Sequence, residues 1–176
     1  MLFFLCLFLF VVLQRLAELQ LAKRNERWML SQGAEESGQS HYPYIVALHV
    51  LFLASYFVEV MSTGAQRITG WWIPFSAFML AQALRVWTLR SLGKYWNTKI
   101  LVLPSATLVS RGPYKYIRHP NYLIVALEIL ALPMIFGAFY TAAIFTISNA
   151  ALLLFIRIPE EEKALKKVRE KNHEIG

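Results

Sequence analysis

The sequence predicts an all-α integral membrane protein with about five transmembrane helices, a long polar loop before the fourth, and a short charged C-terminal helix. Three observations carry this prediction. Apolar residues make up 57% of the 176, which leaves too little polar surface to clothe a soluble globule of that size. Five runs reach or approach the ~20 mainly apolar residues that a bilayer-spanning helix needs. The net charge of +7 is spread segment by segment between those runs, the distribution that membrane orientation imposes and nucleic-acid binding does not.

The first run, 2–21, opens Met1-Leu2-Phe3-Phe4 without a basic segment or a small-residue cleavage site, so it reads as a retained span and not as a signal peptide. The second and third cover 44–61 and 71–89. Trp71, Trp72, Tyr95 and Trp96 lie near the ends of the third, where interfacial aromatics anchor a helix. The fourth, 122–136, contains Pro133, which predicts a kink, and only the region around Gly137 separates it from the fifth, 138–156, as in a tight hairpin. Backbone polar groups in hydrocarbon must be satisfied within their own segment, so all five are read as helices. From Pro159 a short helix begins with Glu160, Glu161 and Glu162 and continues with bases, matching the helix dipole. It lacks the apolar face of a sixth span. No internal repeat or low-complexity linker appears, so the chain reads as one domain, 1–176.

Lys23, Arg24 and Arg27 follow the first run, Arg67 stands alone after the second, and the bases from Arg90 to Arg118 follow the third. None lies between the fourth and fifth, and the tail is basic again. Basic loops face the cytoplasm, which predicts an outside N-terminus and a cytoplasmic C-terminus. The polar segments 23–42 and 90–118 then share the cytoplasmic side with the tail, and chemistry on soluble cofactors belongs there.

Ionisable groups inside spans are functional candidates because they are expensive to hold there. Arg15, Glu18, Glu59, Arg85 and Glu128 qualify. Structural pairing is the plainer role for each: Arg15 and Glu18 stand three apart on one helix, Arg85 and Glu128 share the inner half of theirs, and Glu59 reaches the outer interface. Cys6 is the single cysteine, and His41, His49 and His173 have no metal-ligand spacing, so neither a disulfide nor a metal site is expected.

The densest set of unusual residues is Thr107-Leu108-Val109, Gly112-Pro113-Tyr114 and Arg118-His119-Pro120-Asn121-Tyr122, which opens the fourth span. His119-Pro120 falls at a helix N-terminus, where free N–H groups and the dipole hold an anion. The plainer reading is a loop with anchoring Arg and Tyr and a capping proline. Arg157 and Glu161 are four apart, so on a continuous helix they share a face, although Pro159 between them removes a backbone hydrogen bond. The plainer reading there is an interfacial arginine beside a solvated acidic turn.

These two motifs, Leu108 to Tyr122 and Arg157-Ile158-Pro159-Glu160-Glu161-Glu162 with Leu165, in this order around a helical hairpin, closely resemble the isoprenylcysteine carboxyl methyltransferase family, in particular its short bacterial members. The resemblance covers about 99–165, with further likeness around Arg15, Glu18, Arg24-Asn25 and His41-Tyr42-Pro43. It implies S-adenosyl-L-methionine as methyl donor, bound by a cytoplasmic cofactor-binding loop and the acidic tail. Carried over by position, the donor contacts are Lys99, Ala106, Thr107, Leu108, Val109, Tyr114, His119, Pro120, Asn121, Tyr122 and Glu161, and Arg157 orients the acceptor. Arg157 and Glu161 are thus the expected catalytic pair. The acceptor implied is a lipophilic small molecule entering from the lipid bilayer, with no nucleic-acid partner and, for a bacterial member, a plasma-membrane location.

Two departures bear on that acceptor: Leu123-Ile124 stand where members often carry glycine, and the stretch after Leu165 is short and lacks a Tyr-rich, Arg-ending tail. A bacterial cell generally lacks prenylated CaaX proteins, so the resemblance to the short bacterial members implies a small lipophilic acid or acidic enol such as an alkylpyrone in preference to prenylcysteine. The alternatives are a membrane reductase of the sterol-reductase type, which resembles the family in its C-terminal part but uses a nicotinamide cofactor, and a non-enzymatic membrane scaffold or transporter subunit.

Overall fold

The first apolar run becomes a helix of 30 residues, α1 (Leu2–Ser31), in the computed structural model, which describes residues 1–104 and 109–174, the stretch 167–174 as backbone only. Strand β1 (Glu35–Ser37) and a single 3₁₀ turn lead into α2 (Tyr42–Ser62), whose first turn holds Pro43 where its missing N–H costs nothing. Then come α3 (Trp72–Leu92), strand β2 (Ile100–Val102), a 3₁₀ turn over Gly112–Lys115, α4 (Pro120–Met134), α5 (Phe139–Leu152) and α6 (Ile158–Glu174).

Among the described residues, three helical stretches are long and apolar enough to cross a membrane: Leu2–Ser31, Gln39–Ser62 and Phe139–Lys166. Helix α4 is apolar but has 15 residues, about 22 Å, short of a ~30 Å hydrocarbon core. Helix α3 carries Gln82, Arg85, Thr88 and Arg90 and falls outside that set. The all-α membrane class holds, with one small addition. The two polar segments read as loops pair through an antiparallel ribbon with Glu35 opposite Val102 and Ser37 opposite Ile100. Lys99, beside it, bonds Glu26 at 2.7 Å and Glu36 at 3.2 Å, joining α1 to both strands.

Away from the ribbon the bundle closes on aromatic rings. Phe4 of α1 meets Tyr56 of α2 edge-on at 5.4 Å and Phe136 at 5.2 Å, all fully or nearly fully buried. Lipid tails are as apolar as these rings, so shape and dispersion hold the helices together there. Small residues let helix backbones approach closely: Ala81 in α3, Ala131 in α4 and Ala142 in α5 are all buried. Glu59 accepts from the free N–H groups of Tyr140 (3.1 Å) and Thr141 (2.8 Å), capping α5.

Three expectations are corrected. Pro133 does not kink α4: it stands one residue before its end, and the amide of Ala138 returns to its carbonyl at 3.0 Å with Gly137 at φ +71°. Trp96 is no interfacial anchor, because its side chain is buried. The charged C-terminal helix is neither separate nor short. It continues α5 through a five-residue π-helical turn, Leu153–Arg157, and runs to Glu174. The ring of Pro159 would clash with the carbonyl of Phe155 in a regular helix, and the wide turn relieves that clash without breaking the rod.

Candidate functional site

The loop before α4 is stapled to the end of α3. Gly112 takes φ +61°, and a Cβ there would sit 2.0 Å from Ser91 Oγ, so a glycine is required for the close approach. Arg111 Nε donates to the Ser91 carbonyl at 2.9 Å. The chain then enters α4 with His119 as N-cap and Pro120 as the first helical residue, as the sequence predicts. The His119 ring stacks on Tyr122 at 5.4 Å with an interplanar angle of 19°.

Tyr122 is the meeting point of the two motifs. Its hydroxyl donates to the Glu161 carboxylate in a short hydrogen bond and accepts from Arg157 Nε at 3.1 Å. His119 completes the acidic side, with Nδ1 3.7 Å from Glu161 and Nε2 3.4 Å from Glu162. Arg157, 5% exposed, is held on two further sides: Nη2 donates to the Thr98 carbonyl at 2.7 Å and Nη1 to His41 Nε2 at 3.4 Å. A guanidinium has five N–H groups, so two have no partner among the described residues.

His41 is fixed by the turn before it. Gly38 has φ +66°, and a Cβ at that position would lie 2.1 Å from the His41 ring. Arg157 can only donate, so the His41 ring accepts from it through Nε2 and carries its proton on Nδ1. Burial, with Glu161 adding to it, raises the Tyr114 phenol, which stays protonated. The hydrogen bonds that Lys99 donates to Glu26 and then Glu36 raise its pKa and keep it charged.

The Arg157 and Tyr122 side of this arrangement lines one end of a cavity of ≈ 370 Å³. Tyr114, His119, Tyr122, Arg157, Glu161 and Leu165 surround that end. The cavity runs on between α1 and α2, where Leu16, Val46 and Val50 both line it and stand on the outer surface, 52%, 41% and 61% exposed. It therefore borders the lipid-facing side of the bundle.

Its inner wall is polar. Arg15 and Arg85 share Glu18, at 2.6 and 3.1 Å, and both also reach the same oxygen of Glu128. Arg85 Nε and Gln82 Nε2 donate to the other Glu128 oxygen at 2.9 and 2.6 Å. Two arginines and two glutamates cancel, so α1, α3 and α4 are clasped without an uncompensated charge in hydrocarbon. The expected pairings of Arg15 with Glu18 and Arg85 with Glu128 are present, merged into one cluster.

Of the residues expected at the site, Lys99, Pro120 and Asn121 also line the cavity, whereas Val109 is half-buried outside its lining. Ala106, Thr107 and Leu108 lie outside the described residues. Sequence reasoning missed His41, Thr98, Trp96 and Asn149. His41 carried a signal in the run His41-Tyr42-Pro43 at a helix start. Thr98 acts through its backbone carbonyl, which no side-chain pattern reveals.

Residues 72–167 match the profile of the isoprenylcysteine carboxyl methyltransferase (ICMT) family. A Bacillus subtilis (strain 168) protein described as "Uncharacterized protein YpbQ" is 48% identical over 156 residues, covering 88% of this chain and 92% of its own length. A Haemophilus influenzae (strain ATCC 51907 / DSM 11121 / KW20 / Rd) protein described as "Uncharacterized protein" is 27% identical over 169 residues, 94% of this chain and 96% of its own. No solved structure matches.

Proposed function

The chain belongs to the isoprenylcysteine carboxyl methyltransferase family, and on that premise we propose that it transfers a methyl group from S-adenosyl-L-methionine to a carboxylate or acidic hydroxyl of a lipophilic acceptor. The observation that carries this reading is the Tyr122 hydroxyl between Arg157 and Glu161, at one end of a cavity whose other end borders lipid.

The donor set fits the cofactor. Glu161 offers a carboxylate to amino or hydroxyl groups, His119 and the start of α4 supply polar contacts, and the faces of Tyr114 and Tyr122 suit a sulfonium cation. When bound, S-adenosyl-L-methionine supplies an electrophilic methyl carbon. The protein's task is then alignment and exclusion of water, which contribute ~7–11 kcal/mol. The two spare N–H groups of Arg157 hold the acceptor's anionic oxygen by charge-assisted hydrogen bonds. An anionic acceptor needs no general base, and none is assigned. Glu161 is the catalytic partner through its hold on the donor, and Tyr122 sets its position relative to Arg157.

The whole chain, 1–176, acts as one methyltransferase domain with its catalytic region at about 99–165. The basic segments put this end of the cavity, with the C-terminus, on the cytoplasmic face of a bacterial plasma membrane, with about five helices in the bilayer. The acceptor enters laterally between α1 and α2 and is a small lipophilic acid or acidic enol in preference to prenylcysteine.

Calorimetric titration of the detergent-solubilised protein tests the donor site. Saturable binding of S-adenosyl-L-methionine is expected, with His119→Ala and Glu161→Ala each weakening it about tenfold or more, ~1.4 kcal/mol. Unchanged affinity in both variants sinks the assignment. Incubation with labelled donor and a total lipid extract then identifies the methylated product.

A further inference from the structure

Six buried side-chain polar atoms among the described residues have no hydrogen-bond partner: Gln14 Oε1, Tyr56 Oη, Thr88 Oγ1, Trp96 Nε1, Thr146 Oγ1 and Asn149 Nδ2. Only Trp96 and Asn149 of these residues line the cavity. Trp96 immediately precedes Asn97 and Thr98, and Asn25 pins its carbonyl at 2.7 Å, so its indole belongs to the Arg157 end. Asn149 lies deeper. It is 2% exposed and stands on α5 beside the apolar lining of Leu152, Leu153 and Leu53. The Nδ2 donor there loses its hydration without gaining a partner among the described residues, which is unfavourable for folding.

The π-helical turn directs the same helix face to both places. Asn149 and Arg157 are eight residues apart, which a regular α-helix would leave about 80° apart around its axis. The wide turn at Leu153–Arg157 rotates less per residue and brings the two side chains nearer to one face. Both line the cavity. Eight residues correspond to ~12 Å along the helix.

We propose that Asn149 is a specificity-determining residue whose side-chain amide donates to a second oxygen function of the acceptor, a carbonyl or hydroxyl about two helical turns from the oxygen held at Arg157. This rests on the methyltransferase reading and narrows its acceptor class: a lipophilic anion with a remote oxygen, in place of a plain hydrocarbon chain. The neighbouring charges do not serve this purpose, because Arg15, Glu18, Arg85 and Glu128 already satisfy one another. A site built to hydrogen-bond a ligand oxygen rejects the analogue that lacks it.

The test uses the full-length protein in detergent with a series of octadecanoates: the unsubstituted acid, and acids carrying one keto group at successive carbons. Binding is read as the thermal shift, and methyl transfer from labelled donor is read in parallel. A narrow window of keto positions is expected to bind about tenfold more tightly than the unsubstituted acid, with Asn149→Leu erasing the window. Equal binding across the series in the unsubstituted protein overturns the proposal, and that result needs no variant. So does a window that persists in Asn149→Leu. S-adenosyl-L-methionine affinity, titrated alongside, separates this failure from that of the methyltransferase reading: absent donor binding removes the enzyme assignment whatever the keto series shows.

Discussion

The Tyr122 hydroxyl accepts a hydrogen bond from Arg157 Nε at 3.1 Å and donates its own proton to Glu161, so one side chain of α4 ties together two residues four apart on the terminal helix. The arrangement makes the spacing between the expected acceptor-binding and donor-binding groups a property of α4 as much as of α6.

Tyr122→Phe keeps the ring that stacks on His119 and removes only the bridge. Hydrogen bonds to charged groups contribute ~1.5–3 kcal/mol. A fall of about 10- to 100-fold in kcat/KM is expected, with a lowered thermal midpoint because Arg157 Nε and Glu161 each lose a partner, measured by transfer of labelled methyl and by a melting curve in the same detergent.

Pro159→Ala separates stability from activity. Alanine restores an N–H that can reach the Phe155 carbonyl, so the π-helical turn closes to a regular one, and proline's helix penalty of ~3 kcal/mol is relieved. The closed turn rotates Arg157 away from Thr98 and His41. The expected outcome is a raised thermal midpoint together with at least about a tenfold loss of methyl transfer. A variant that is both more stable and fully active contradicts this account of the turn.

The buried charge cluster predicts a rescue. Arg85→Met leaves Glu128 and Glu18 in excess over Arg15, and breaking a buried pair this way costs about 3–5 kcal/mol. Adding Glu128→Gln restores charge balance and keeps a partner for Gln82. Melting curves should show a large loss in the single variant and recovery of most of it in the double.

Much of the architecture was legible because the bilayer leaves a chain few options. Hydrocarbon admits no unsatisfied backbone, so 57% apolar composition and long runs already imply helices. The Gly112-Pro113 turn, the helix start at His119-Pro120 and the pairing of Arg15 with Glu18 are local, within a few residues, and patterns report local geometry well. The i, i+4 relation of Arg157 and Glu161 was also visible, although Pro159 obscured whether the helix continued.

The sequence alone therefore determined the membrane class, the two motifs and the helix faces that carry their side chains. Only the tertiary structure decided partners. His41 reaches Arg157 across 116 positions, the Thr98 carbonyl across 59, and Glu18 meets Arg85 across 67. Trp96 turned inward and Asn149 came to line the cavity for the same reason. Periodicity states which way a side chain points from its own helix, and what stands opposite depends on how helices far apart in the chain pack together.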